Sequence, residues 1–199
     1  MIAYIKGSIT YKNPTYVYVE TGGVGYHVNI SLNTYSQIEK AENVKLLTHM
    51  VVKEDSHTLY GFYDTDERKM FLHLISVSGI GPNTARVILS SMKPEEARNH
   101  ILTENVAAFN LIKGIGPKTA KRLMLDLKDK LTKDGFVAGP NSEPGIPSNG
   151  HVHKAAISAL IALGFPSSIV QKTIRQIAQK GELSDVESTI KKALKELSG

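Results

Sequence analysis

Apolar positions recur along this chain with two different periods. Up to residue 63 they alternate with polar ones or form β-branched runs, at Tyr16 to Glu20, Val24 to Ile30, Val44 to Val52 and Thr58 to Tyr63. That pattern predicts strands, with Gly22-Gly23 as a tight hairpin between the first two. Several short strands in so few residues predict a small β-barrel. Beyond them the period becomes helical: Ala85, Ile88, Leu89 and Met92 fall at i, i+3, i+4 and i+7, and Ala120, Leu123, Met124 and Leu127 repeat the stripe 35 residues later. Upstream, Phe71, Leu74 and Val77 map onto Val106, Phe109 and Ile112, so each copy reads as helix, turn, helix. From His151 onward three short helices are predicted. The first carries Ile157, Leu160 and Ile161 and stops near Leu163-Gly164-Phe165; the second carries Ile169, Val170, Ile174 and Ile177. The third opens on a capping box, Ser184-Asp185-Val186-Glu187, and presents Val186, Ile190, Ala193, Leu194 and Leu197.

The turn inside each repeat is the most informative segment. Ser78-Gly79-Ile80-Gly81-Pro82-Asn83-Thr84-Ala85-Arg86 returns as Lys113-Gly114-Ile115-Gly116-Pro117-Lys118-Thr119-Ala120-Lys121. Two glycines permit positive φ and close backbone approach, and the proline after them suits the first position of a helix. The N–H groups of such a turn point outward beside the positive end of a helix dipole, a setting that favours an anion. Lys118, Lys121 and Arg122 add mobile positive charge to the second copy. One Gly-x-Gly turn is compatible with plain punctuation, whereas two matched copies read as one phosphate-gripping device used twice. No GxxxxGK[ST] occurs and neither turn follows a strand, so neither a P-loop nor a dinucleotide fingerprint is supported.

Charge follows this division. Residues 1–63 balance five lysines against five acids, whereas residues 64–131 hold eleven basic residues against eight acidic, within a net charge of +5. The absence of cysteine excludes disulfides, thiolate catalysis and cysteine zinc sites, and fits a reducing cytoplasm. No run of 18 apolar residues and no cleavage signature at the start are seen, so a soluble cytosolic protein with no membrane partner is expected. In residues 134–150, glycine, proline, serine and asparagine make up 11 of 17 positions, which predicts a flexible linker spanning about 20 to 25 Å.

Between two apolar strands stands Lys53-Glu54-Asp55-Ser56-His57. From its residue types this is a solvated hairpin tip. Metal binding by Glu54 and Asp55 alone is disfavoured, because neighbours on a strand point to opposite faces and further oxygen ligands would be required. The seven histidines form no HExxH or comparable pattern, and Asp126 and Asp129 read as the charged face of a helix with local pairing.

The paired turns resemble helix-hairpin-helix elements, which hold DNA backbones without reading sequence. With the segments on either side, the chain resembles the RuvA family of Holliday-junction-binding proteins over nearly its whole length. The resemblance implies an α+β, multi-domain protein: an OB-fold-like β-barrel at 1–63, an all-α tandem helix-hairpin-helix domain at 64–133, the linker at 134–150, and a UBA-like three-helix bundle at 151–199. It implies DNA binding through Gly79, Gly81, Asn83, Thr84, Gly114, Gly116, Lys118, Thr119 and Arg122. Val51-Val52-Lys53-Glu54-Asp55 matches the family's VV[KR]ED context, which makes Glu54 and Asp55 an acidic pin whose charge repels phosphates at a junction's centre. Family members often carry lysine where Asn83 stands, and can carry another where Pro117 stands, so the first hairpin is expected to rely more on backbone N–H groups than on charge. No catalytic residue, cofactor or metal is implied. The implied partners are four-way junction DNA, the RuvB ATPase gripped by the last bundle, the RuvC resolvase, and further copies of the chain as a tetramer or two tetramers face to face. The rival class is a helix-hairpin-helix glycosylase or nuclease, but the chain shows no catalytic acid or lysine beside a base pocket.

Overall fold

A computed structural model of the chain describes residues 1–133, 149–179 and 185–197. Most of the expected linker and the cap residue Ser184 lie outside the described residues. The described residues fall into two compact units, one on each side of residues 134–148.

The first unit begins with a closed five-stranded barrel. Its strands are β1 (Tyr4–Asn13), β2 (Tyr16–Thr21), β3 (Val24–Asn29), β4 (Asn43–Val52) and β5 (His57–Phe62), in the spatial order β1-β2-β3-β5-β4 with β4 returning to β1. Only β3 and β5 run parallel, through Val28↔Leu59 and Asn29↔Tyr60. The Gly22-Gly23 hairpin forms as its residues require, with Thr21 paired to Val24. Val17, Val19, Val28, Ile30 and Leu46 fill the interior, as alternation dictates.

Two elements of this barrel carry no clear periodic signal. In β1 the inward alternation passes through Gly7 and is broken by a bulge between Ile9 and Tyr11. Gly7 is required because a Cβ there would lie 2.0 Å from the Glu20 carbonyl oxygen of the neighbouring strand. Helix α1 (Leu32–Ile38) is too short to show a stripe, yet it buries Thr34 and Ile38 completely.

Five helices complete this unit: α2 (Thr65–Ile75), α3 (Pro82–Ser91), α4 (Pro94–Leu102), α5 (Val106–Asn110) and α6 (Pro117–Lys133). Ala85, Ile88, Leu89, Ala120, Leu123 and Leu127 are wholly inaccessible, so both repeated stripes form core. Helix α4 gives little sequence signal, since only Ala97 and Ile101 are buried along its nine residues. Tyr60 and Phe62 of β5 join the helices in an apolar core separate from the barrel interior: the Phe71 ring lies 5.2 Å from Tyr60 and 4.8 Å from Phe62. Burying a side chain of that size contributes about 2 to 3 kcal/mol.

A carboxyl group also joins the two. Glu67, 2% exposed, accepts hydrogen bonds from the Ser31 hydroxyl and, at 2.5 Å, from the Thr34 hydroxyl. Thr34 Oγ1 in turn accepts from the Tyr63 N–H at 3.0 Å. Burial pushes the Glu67 carboxyl above its usual range, and the two hydroxyls pull it partly back.

The second unit contains α7 (Asn149–Ala162), α8 (Ser167–Gln179) and α9 (Val186–Leu197). Helix α7 starts two residues inside the expected linker. It ends in a Schellman-type turn, Gly164 N–H to Ile161 O at 2.9 Å and Phe165 N–H to Leu160 O at 3.2 Å. Leu160, Val170, Ile174, Ile177 and Ala193 form the core. Ile161 and Ile169, expected on the buried stripes, are instead 41% and 50% exposed, because three helices enclose only a narrow arc of each. The cap of α9 is Asp185, whose carboxylate accepts from the Ser188 N–H at 3.0 Å and the Ser188 hydroxyl at 2.6 Å. Those bonds hold the Asp185 carboxyl below its ordinary value.

Candidate nucleic-acid interface

The two glycine turns are built alike, bond for bond. In the first, Ile80 N–H donates to Val77 O at 3.0 Å and Ala85 N–H to Gly81 O at 2.9 Å; in the second, Ile115 N–H donates to Ile112 O at 3.1 Å and Ala120 N–H to Gly116 O at 2.9 Å. Gly79 and Gly114 take φ of 94° and 92°, a left-handed backbone that costs any residue with a Cβ about 1 to 2 kcal/mol. The second glycines do not share it: Gly81 is extended, with φ −82° and ψ 168°, and Gly116 is not among the positive-φ glycines. Packing does not demand glycine there either, since a Cβ on Gly81 or Gly116 would meet nothing within 4 Å. What the bare backbone leaves open is access to the N–H groups.

No acceptor among the described residues takes those groups. Gly81 caps α3 without a side chain, and Asn83 and Thr84 precede the first residue able to bond back along the helix. Lys118 and Thr119 stand in the same position on α6. The turns are also adjacent, since a Cβ on Gly79 would lie 4.0 Å from Thr119 Cγ2. Two rows of outward N–H groups, each at a helix N-terminus, therefore lie side by side on one surface.

The side chains around them differ between copies. Lys118, Lys121 and Arg122 are exposed, and Arg122 lies 3.7 Å from Asp126 one turn further on, the local pairing expected for that aspartate. In the first copy Asn83 Oδ1 accepts from the Tyr60 hydroxyl at 3.2 Å, and Arg86 donates to Thr15 O at 2.8 Å and to Asn29 Oδ1 at 3.2 Å. Asn83 and Arg86 thus tether the first hairpin to the barrel, while their counterparts Lys118 and Lys121 face solvent. Leu111, 89% exposed just before the second turn, also escaped the sequence reading. None of these tethers has a sequence signal, because each joins residues at least 23 positions apart.

Glu54 and Asp55 occupy the tip of the β4–β5 hairpin, beyond the Val52↔His57 pair. Lys53 N–H donates to Ser56 O at 2.8 Å to close the turn, and the Ser56 hydroxyl donates to Asp55 Oδ1 at 3.2 Å. Both carboxylates are exposed and lie in a turn, not on the faces of a strand. Among the described residues no three His, Cys, Asp or Glu side chains converge as a metal set, and no helix is long and apolar enough to cross a membrane.

Comparison with known proteins adds three family matches: the RuvA N terminal domain over residues 1–61, the SAM-like Helix-hairpin-helix tandem over 71–129, and the RuvA C-terminal domain over 154–198. The chain is 47% identical over 197 residues to the Holliday junction branch migration complex subunit RuvA of Cytophaga hutchinsonii, covering 98% of this chain and 99% of the relative. To the proteins of the same name from Christiangramia forsetii and Bacteroides thetaiotaomicron it is 48% and 45% identical, covering 99% of this chain and all of each relative.

Proposed function

The chain belongs to the RuvA family, and from that premise we propose that it binds four-way DNA junctions as the non-catalytic subunit of a branch-migration complex. It holds the junction while the partner ATPase, RuvB, supplies the work of moving the arms. The observation that carries this reading is the pair of matching turns, whose outward N–H groups at the start of α3 and α6 find no acceptor among the described residues.

Each turn offers several donors to a phosphate and none to a base edge, so binding is positioned by backbone and indifferent to sequence. Gly79, Gly81, Asn83 and Thr84 form one clamp; Gly114, Gly116, Lys118, Thr119 and Arg122 form the other. Glu54 and Asp55 carry the opposite charge on a separate projection, and as an acidic pin they keep phosphates from closing over the crossover. The four-part division at residues 63, 133 and 150 assigns pin, clamps, tether and motor contact to successive segments. In the last bundle, Ile161, Leu163 and Ile169 are exposed around the α7–α8 connection and supply an apolar surface for the motor.

One subunit reaching two to four phosphates binds weakly, at about 0.9 in salt slope per phosphate. Four copies match four arms, so we infer a fourfold assembly, with a second tetramer able to cover the other face. RuvC resolvase acting on the held junction and a cytoplasmic location complete the proposal. The test is a mobility-shift comparison of a synthetic four-way junction with linear duplex of the same sequence and with a junction of scrambled sequence. Both junctions bind alike and well ahead of duplex; equal affinity for junction and duplex overturns the reading.

A further inference from the structure

The outward face of the barrel carries chemistry that neither clamp nor pin uses. Tyr16 and Tyr18 on β2, Tyr11 on β1 and His27 on β3 form a continuous ring cluster. Tyr11 lies 5.6 Å from Tyr16 and 5.3 Å from Tyr18, and His27 lies 4.5 Å from Tyr16, between ring centroids. Tyr11 is 47% and Tyr18 38% exposed. Aromatic surface of this extent left in water on the outside of a barrel is costly, since each ring exposes area that burial would favour.

Strand β1 leads from this cluster to a second unresolved cost. Lys6 and Lys45 are directly opposite each other across the β1–β4 ladder, and like charges in that position repel. Both are exposed, and no ion pair relieves them among the described residues. Lys45 Nζ sits 4.6 Å from the centre of the Tyr4 ring, and the two lysines line a shallow cavity of about 400 Å³. Lys12, by contrast, is consumed by the carbonyls of Ile38, Glu39 and Ala41 at the end of α1. Glu20 is the acid that follows Tyr18 on the same outward stripe.

Stacking rings and unneutralised cations are the two parts a sequence-tolerant site for single-stranded nucleic acid requires, and here they stand five residues apart along β1, at Tyr11 and Lys6, with Glu20 paired to Ser8 between them. We propose that this face of β1, β2 and β3 is a second DNA site, which takes an unpaired strand by stacking its bases on Tyr11, Tyr16, Tyr18 and His27 and its phosphates on Lys6 and Lys45. Arg86, which bonds Thr15 and Asn29 beside Tyr16, makes the face continuous with the first hairpin's helix. The proposal rests on the junction reading only in that an opened crossover supplies the unpaired strand.

The test titrates the full chain with a fluorescent oligothymidylate by anisotropy. The chain has no tryptophan and eight tyrosines, so quenching of tyrosine emission reports stacking directly. Tyr11→Ser with Tyr18→Ser lowers oligothymidylate affinity about tenfold or more, and Lys6→Gln with Lys45→Gln flattens its salt dependence, while both leave four-way junction affinity unchanged. Lys118→Ala with Arg122→Ala does the reverse, so failure of the junction reading and failure of this one are separable. Oligothymidylate binding that is absent in the parent, or unaltered by the tyrosine variant, overturns the proposal. So does a fall in particle mass by light scattering in that variant, which would assign the face to contact between copies.

Discussion

At the scale of single residues, the two proposed clamps divide their labour between backbone and side chain. Gly79 and Gly114 give the turn its shape, whereas Lys118 and Arg122 add charge that the first copy lacks. Replacing both with alanine weakens junction binding and flattens the dependence of log K on log salt by about 2, since each lost phosphate contact removes about 0.9. A slope equal to the parent's would remove them from the interface. Glu67 makes a different kind of prediction. Its folded-state pKa lies above that of the unfolded chain, so the folded state binds the extra proton first and Glu67 favours folding more as pH falls. His49 opposes this: burial and then the charge of Arg68 lower its pKa, which disfavours folding as pH falls. Comparing parent with Glu67→Gln in urea denaturation isolates the carboxyl: the parent gains stability relative to the variant between neutral pH and pH 5. The glycine turns, with the prolines and lysines that follow them, were legible in the sequence because each acts locally. Glu67, Tyr60 and Arg86 were not, because their partners lie 23 to 71 positions away along the chain.

At the scale of elements, the repeated stripes are core, and they aim the turns. Ala85, Ile88 and Leu89 on α3, and Ala120, Leu123 and Leu127 on α6, lock each helix so that its N-terminus stays at the surface. The proposed pin is an element of its own, a four-residue tip on two paired strands, with both carboxylates exposed. Changing Glu54→Gln and Asp55→Asn therefore preserves or tightens junction binding while altering branch migration in the presence of the motor. If circular dichroism shows the fold lost along with binding, the tip is structural and not a pin. Strands β2 to β5 and the stripe-bearing helices follow the hydrophobic period. Strand β1 and helices α1 and α4 do not, since a bulge, a glycine or a short length interrupts the pattern, and contacts made elsewhere hold them in place.

At the scale of the whole molecule, one subunit presents two glycine turns and one acidic tip, which under the proposed function make too few contacts for tight binding alone. Light scattering with and without a synthetic junction reads a mass of four copies, or eight when two tetramers enclose the DNA. A monomer that binds the junction tightly would contradict the fourfold match. The sequence by itself determined what short-range chemistry dictates: the strand and helix periods, the two left-handed glycine turns, the acidic tip and the gain in positive charge around the turns. Tertiary structure decided what depends on distant residues meeting. It closed the barrel through β1, placed Gly79 beside Thr119 so that the two glycine turns are adjacent, and drew Tyr11, Tyr16, Tyr18 and His27 from three strands into one cluster. Periodicity records which way a side chain faces along its own element, whereas the neighbour it meets is fixed only when elements far apart in the chain pack together.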